Sequence, residues 1–333
     1  MTPFLQRSFR RILIASVRPF SQHSGWLNLA MESGILGQVS LVEITALWNS
    51  RIMRIAGVQM DFQLADPVAN LNRMIEKIRE TRRGGADLTI FPECALTGYC
   101  FNSIDEARPY AEPIPGPSVQ RMTEVCSELG GHLVYGLLEA DGNRVFNAVA
   151  LVGPNGLVGS YRKTHLPFLG VDMFTDYGDR PFAVHEIDGV RVGMCICYDG
   201  GFPEPARCLT LLGADLVVLP TNWPPGAEPA AEYAINTRAM ENTIYYAAVN
   251  RIGVERGVPF IGRSRICDPL GKTLAVADNT DEAILYADID VARSRNKHLI
   301  RKAGVNEVNR IADRRPDLYG EIVKPHFLKR PGR

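Results

Sequence analysis

A cysteine at the end of one apolar run, a glutamate at the end of another and a lysine just past a predicted strand are the residues of this chain best suited to chemistry. Cys197 closes Val190-Arg191-Val192-Gly193-Met194-Cys195-Ile196-Cys197 and is followed by Tyr198-Asp199-Gly200-Gly201-Phe202-Pro203-Glu204, the pattern of a strand giving way to a sharp turn and a helix. Such a placement presents a thiol beside the backbone N–H groups that open a helix, so nucleophile and oxyanion donors lie together. A lone free cysteine is more often a small buried hydrophobe, so the argument needs its companions. Glu93 follows Leu88-Thr89-Ile90-Phe91-Pro92, and Lys163 stands in Tyr161-Arg162-Lys163-Thr164-His165-Leu166-Pro167. The ordinary readings are a solvated loop carboxylate and a surface ammonium. Held in a cleft, the carboxylate instead rises toward neutrality and becomes a general base. A lysine there stabilises developing negative charge, and its proximity is expected to lower the Cys197 thiol pKa and enlarge the thiolate fraction.

Together the three suit acyl transfer from nitrogen. Cys197 attacks an amide carbon while Glu93 takes its proton. Lys163 and the backbone N–H of Tyr198 hold the oxyanion. Glu93 returns the proton to the leaving amine, and water activated by the same carboxylate clears the thioester. This chemistry calls for no metal and no organic cofactor. Cys195 and Cys197 are two apart and suggest a metal or redox pair, but no second cluster with ligand spacing exists and the six histidines are scattered.

These residues need elements to hold them. Met53 to Gln59 reads as a strand, and Asp66-Pro67 supplies an N-cap with proline at the first helical position. Val68, Leu71, Ile75 and Ile78 continue at helical spacing to Arg83, and Gly84-Gly85 ends the helix. Asp87 to Phe91 is the strand before Glu93. Pro117 to Leu129 is a helix with Val119, Met122 and Val125 or Cys126 buried. Strands are expected at 132–138, 145–152 and 157–162, the last two joined by Pro154-Asn155-Gly156, and on both sides of Asp188-Gly189. Beyond Cys197 the pattern predicts helices at 203–212 and 228–242 and strands at 215–219, 243–250, 260–267, 272–276 and 283–289. No Pro-, Gly- or Ser-rich linker divides them. Helices interleaved with strands, some in hairpins, imply a mixed sheet layered with helices in a single α/β domain.

The chain has 333 residues and 46% hydrophobic content, enough for a sizeable core. Acidic and basic residues balance at 37 each, so no net field favours nucleic acid or an anionic membrane, and a small-molecule ligand fits better. Seven cysteines without a paired framework point to a reducing compartment, the cytoplasm. Residues 1–52 read as an extension. Arg7, Arg10, Arg11 and Arg18 with no acidic residue before Glu32 resemble a transit peptide, which would make the location mitochondrial; the competing reading is a start at Met53. The apolar run 35–48 is too short to span a membrane and carries Glu43.

The blocks Phe91-Pro92-Glu93, Tyr161 to Pro167, and Cys197-Tyr198-Asp199 with Phe202-Pro203-Glu204 resemble the three signature blocks of the nitrilase superfamily, the carbon-nitrogen hydrolases. Arg238-Ala239-Met240-Glu241-Asn242 and the stretch from Gly262 to Gly271 also match, and the similarity runs from Met53 to about Tyr319. It implies a four-layer α-β-β-α sandwich over 53–320 with 321–333 as a tail, Glu93 as base, Lys163 as oxyanion stabiliser, Cys197 as nucleophile, and pairing into a homodimer or higher homo-oligomer. Many relatives carry a second glutamate after the lysine; here Asp172 is the nearest candidate for that substrate-positioning role, with a plain solvated aspartate as the alternative. True nitrile hydrolysers usually place tryptophan and glutamate after the cysteine, whereas Tyr198 and Asp199 resemble the amidase and carbamoyl-hydrolysing branches. Tyr99, Asn222 and Trp223 follow strand ends near the expected pocket mouth and are candidate substrate contacts, with packing as the plain reading for the aromatics.

The expected activity is therefore hydrolysis of a small linear amide or N-carbamoyl compound through a cysteine thioester. The alternatives are a true nitrilase and a noncatalytic binding protein on the same scaffold, the latter expected to lack one of the three central residues. A glutamine-hydrolysing domain would call for a phosphate-cradling glycine loop, and none follows Cys197. A papain-like pairing of Cys197 with His165 is a further rival.

Overall fold

The computed structural model describes residues 52–332, so the extension expected over 1–52 lies outside the described residues except for Ile52. Strand β1 (Ile52–Gln59) leads to helix α1 (Pro67–Arg83), whose first turn is closed by the Asp66 carboxylate accepting from the Ala69 N–H at 3.0 Å. Strand β2 (Leu88–Ile90), helix α2 (Pro117–Leu129) and strands β3 (His132–Asp141), β4 (Arg144–Gly153) and β5 (Gly156–Arg162) follow. With β14 (Ala283–Asp290) they make a six-stranded sheet in the order β14-β1-β2-β3-β4-β5, in which β1, β2 and β3 are parallel. The second sheet repeats the plan. Strands β6 (Val184–Ile187), β7 (Val190–Met194), β8 (Leu216–Thr221), β9 (Tyr245–Asn250), β12 (Arg265–Cys267) and β13 (Thr273–Val276) run β13-β12-β9-β8-β7-β6, with β7, β8 and β9 parallel. Helices α3 (Pro203–Leu211) and α4 (Ile235–Asn242) belong to this half.

Alternation along the strands fixes the layers. In β4, Val149 and Leu151 pack with Val192, Met194 and Val218 of the other sheet, while Ala150 and Val152 pack with Met74 of α1 and Met122 of α2. In β3, Val134 faces the second sheet and Leu133, Tyr135 and Leu137 face the helices. On the far side, Ala206 and Leu209 of α3 and Ile235 and Ala239 of α4 close the core. The result is the four-layer α-β-β-α sandwich.

Two expected elements differ. The strand expected at 260–267 keeps only Arg265–Cys267, because Gly262 (φ 62°) and Arg263 (φ 61°) are left-handed and break the extended run. The helix at 228–242 contains a π-helical turn at Ala230–Ala234 before α4 begins. Two hairpins had no clear sequence signal: β10 (Val254–Glu255) with β11 (Val258–Pro259), and β15 (Leu299–Lys302) with β16 (Asn306–Val308). Among the described residues no helix is long and apolar enough to cross a membrane.

Candidate active site

Glu93, Cys197 and Asn222 all lie just beyond the carboxyl ends of parallel strands, β2, β7 and β8, where an open α/β sheet places its ligands. Each is held there by its own device. After β2 the chain turns over Gly136 of β3: the Gly136 N–H donates to the Pro92 carbonyl and the Leu96 N–H donates back to the Gly136 carbonyl. A Cβ on Gly136 would lie 2.2 Å from the Cys94 nitrogen and 2.8 Å from the Glu93 Cα, so any side chain there displaces the glutamate. Lys163 follows β5 and extends its pairing, its N–H donating to the Asn147 carbonyl at 2.8 Å.

Cys197 has φ 44°, the left-handed region that costs an L-residue roughly 1–3 kcal/mol. Asp199 holds that turn. Its Oδ2 accepts from the Ile196 N–H at 2.9 Å and the Tyr161 hydroxyl at 2.8 Å; its Oδ1 accepts from the His165 N–H at 3.0 Å and the Thr164 hydroxyl at 3.1 Å. The His165 Nδ1 also lies 2.7 Å from that oxygen, and its ring stacks on Phe202 at 4.1 Å. One carboxylate thus ties the cysteine turn to the segment after Lys163. His165 is engaged with Asp199, and among the described residues no hydrogen bond joins it to Cys197, which removes the basis for a papain-like pair.

The charged centre is closed to bulk solvent. Glu93, Lys163 and Asp172 have no solvent exposure. The Lys163 Nζ donates to Glu93 Oε1 at 2.6 Å and to Asp172 Oδ2 at 2.5 Å. Asn147, on the inner face of β4, donates from Nδ2 to Glu93 Oε1 at 2.7 Å and to Asp172 Oδ1 at 2.8 Å. Burial raises the Glu93 pKa above the usual carboxylate range and Asp172 adds to the rise, while Lys163 and Asn147 oppose it. Burial alone would lower Lys163, but the two carboxylates override it and hold the ammonium well above the ordinary lysine range.

Cys197 corrects one expectation. Its thiol is pushed up to about 12, first by burial and then by the Glu93 carboxylate; Lys163 and the Asn222 N–H pull the other way without prevailing. The resting group is a thiol, and attack needs a base to deprotonate it.

The other candidate residues fall into three positions. Asp172, in a 3₁₀ turn at Gly170–Met173, is not a solvated aspartate: it is a buried partner of Lys163. Tyr99 is buried behind it rather than at the mouth, its hydroxyl donating to Asp172 Oδ2 at 2.8 Å. Asn222 touches the centre directly, its Nδ2 donating to the Glu93 carbonyl at 3.0 Å, and Trp223 is buried beside it with its N–H on Asn250 Oδ1. Tyr198 is 45% exposed and meets Phe202 edge-on, and Phe168 and Phe174 are also exposed.

Sequence reasoning missed Asn147, Asp199 and the support behind Tyr99. There Glu255 accepts from the N–H groups of Tyr99 and Cys100 at 2.8 and 2.6 Å, and is itself paired at 2.6 Å with Arg251, whose guanidinium lies over the rings of Phe62 and Phe260. Among the described residues no group of three or more His, Cys, Asp or Glu side chains could hold a metal ion.

Residues 54–298 match the model of a family described as carbon-nitrogen hydrolase. The chain is 37% identical over 270 residues to a nitrilase of Pyrococcus abyssi, an alignment covering 80% of this chain and 99% of that protein. It is 30% identical over 300 residues to an N-carbamoylputrescine amidase of Solanum lycopersicum, covering 83% and 96%. In three dimensions it resembles the crystal structure of an amidase from Nesterenkonia sp., with a TM-score of 0.68 at 24% identity over 81% of this chain and 96% of that one.

Proposed function

The chain belongs to the carbon-nitrogen hydrolase family, an enzyme acting on carbon-nitrogen bonds other than peptide bonds, and we propose that its substrate is a small linear primary amide or N-carbamoyl compound. The relatives differ in the bond their names specify, a nitrile in one and a carbamoyl amide in another. The observation that favours the amide is a pair of orphaned acceptors. Glu93 Oε2 and Asn222 Oδ1 are buried and have no hydrogen-bond partner. Buried polar atoms are nearly always partnered, so two unpaired oxygens on residues beside the thiol call for donors from the substrate. A –CO–NH2 group brings two N–H donors on one nitrogen; a nitrile nitrogen brings none.

The roles follow from this arrangement. Glu93 Oε2 takes the Cys197 proton as the sulfur attacks the carbonyl carbon. Lys163 spends two of its three N–H bonds on carboxylates and has the third for the oxyanion, joined by the Tyr198 N–H. Glu93 then passes its proton to the leaving nitrogen, ammonia departs, and a water deprotonated by Glu93 cleaves the thioester, the sulfur recovering that proton. Tyr99 and Asp172 hold Lys163 in place, and Asn222 and Trp223 border the nitrogen side.

Ammonia release is to be compared across matched primary amides, N-carbamoyl amines, N-carbamoyl amino acids, glutaramate-like ω-amides and nitriles. A site whose buried groups are built for a donor rejects an analogue without one by about 10⁴-fold, so kcat/KM for the best amide or carbamoyl compound should exceed that of its nitrile by that order. A nitrile turned over as fast as its amide would sink this reading.

We also propose self-association through the outer helical layer, where Leu211, Leu212, Tyr233 and Met240 are exposed. Sedimentation at micromolar concentration should give a dimer or larger species, and a monomer throughout would refute it.

A further inference from the structure

We propose that Asn147 is a positioning residue for the reaction: it fixes the orientation of the Glu93 carboxylate so that Oε2 is the oxygen offered to the thiol and to the leaving nitrogen. This rests on Glu93 acting as the base.

Asn147 is 1% exposed and sits on β4, the strand facing the inner layer between the sheets, in register with Leu138 of β3. Its side-chain nitrogen has two hydrogens, and both are used, one on Glu93 Oε1 and one on Asp172 Oδ1. The orientation of the amide follows from its surroundings. Two carboxylate oxygens lie on one side and require a donor there, while the Cys94 thiol donates to Asn147 Oδ1 at 3.5 Å on the other. The same residue's carbonyl anchors the Lys163 N–H, so Asn147 touches all three members of the charged centre.

The consequence for Glu93 is asymmetric. Oε1 is saturated by Lys163 and Asn147, whereas Oε2 is buried and unpartnered. A carboxylate held by Lys163 alone can swing its plane about its last torsion, and with it the direction in which the unpaired oxygen points. A second donor at fixed geometry removes that freedom, which is how a neutral side chain pre-organises a base. The crowding of like groups supplies the second reason. One ammonium lies between two carboxyl groups in a site closed to bulk solvent, and Asn147 donates to both without adding a charge of its own. The titratable groups facing Glu93 are Lys163, Asp172, Cys94, Cys197 and Tyr99.

The test compares Asn147→Ala and Asn147→Ser with the unmodified enzyme and with Glu93→Gln. With both donors removed, the acid limb of the kcat/KM profile should move up by about one pH unit or more and kcat should fall about 10²-fold, a size typical of a misaligned general base, while KM stays within a few-fold. Asn147→Ser keeps one donor in a cavity of nearly the same size and should lie between. If the alanine variant does not fold, Asn147→Leu carries the test, since leucine is close to asparagine in size and offers no donor to either carboxylate, so its acid limb must still rise. Acid limbs that coincide with the unmodified enzyme's, whatever the loss in melting temperature, would overturn the proposal. A fully active Glu93→Gln protein would instead strike down the base assignment beneath it, and the two failures are distinguishable.

Discussion

A Cys197→Ala protein is expected to fold normally and release no measurable ammonia from any substrate the unmodified enzyme hydrolyses. The side chain lost is small and 7% exposed, and alanine inherits the same left-handed backbone, so the circular dichroism spectrum should be unchanged. No other thiol can stand in. Cys195 and Cys94 are completely buried, and burial drives both well above the ordinary thiol range, with carboxylates adding to the effect. Removing the nucleophile of a concerted catalytic set costs on the order of 10⁶-fold in kcat, which puts the variant below detection. Mass spectrometry of the unmodified enzyme with a slow substrate should find the acyl adduct on Cys197. Retained turnover in the alanine variant, or an adduct at Cys195, would refute the assignment of the nucleophile.

The second large effect is expected at Lys163. Methionine is close in length and keeps the packing, but it leaves Glu93 and Asp172 facing one another with no cation in a site closed to bulk solvent. Breaking a buried ion pair by removing one partner costs about 3–5 kcal/mol. Loss of the oxyanion donor alone should lower kcat about 10²–10³-fold, and a more strongly protonated Glu93 lowers it further. The pH dependence has a definite sign. Folding raises the Lys163 pKa, so its stabilising contribution is complete below the ordinary lysine range and is lost only as pH rises through the still higher folded value. Folding also raises Glu93, so its contribution favours the fold below the ordinary carboxylate range and is lost as pH climbs through the raised value. In Lys163→Met the attraction that opposed this rise is gone. The gap in melting temperature between the two proteins should therefore be widest at neutral pH and above, and shrink toward pH 5. A gap that widens on acidification would contradict the buried triad of charges.

Much of this arrangement is legible because Glu93, Lys163 and Cys197 stand at or just past strand ends. Glu93 and Cys197 follow hydrophobic segments, Lys163 follows the mixed strand that leaves the Pro154-Asn155-Gly156 turn, and α1 is marked by Asp66, Pro67 and Gly84. Asn147 was harder to see because it lies inside an apolar strand. The available signal was the inward-facing series Val145, Asn147, Val149 and Leu151, where one polar residue occupies a core position and must have partners. Asp199 was visible only as the cysteine's neighbour, since its partners at Tyr161, Thr164 and His165 come from a distant part of the chain. The thiol went the other way because adjacency to a lysine can be inferred from motifs whereas burial cannot. Desolvation and the Glu93 carboxylate outweigh the ammonium. Tyr99 was misplaced at the mouth for a similar reason: the ion pair between Arg251 and Glu255 that draws its loop inward joins residues about 150 positions away.

Gly136 limits how this enzyme can diverge. With the Cys94 nitrogen 2.2 Å from where its Cβ would be, the floor beneath the base has no slack, and no substitution there can adjust the base gradually. Change near the reacting groups is left to positions without that constraint, such as Tyr198 next to Cys197, whose side chain is open to solvent.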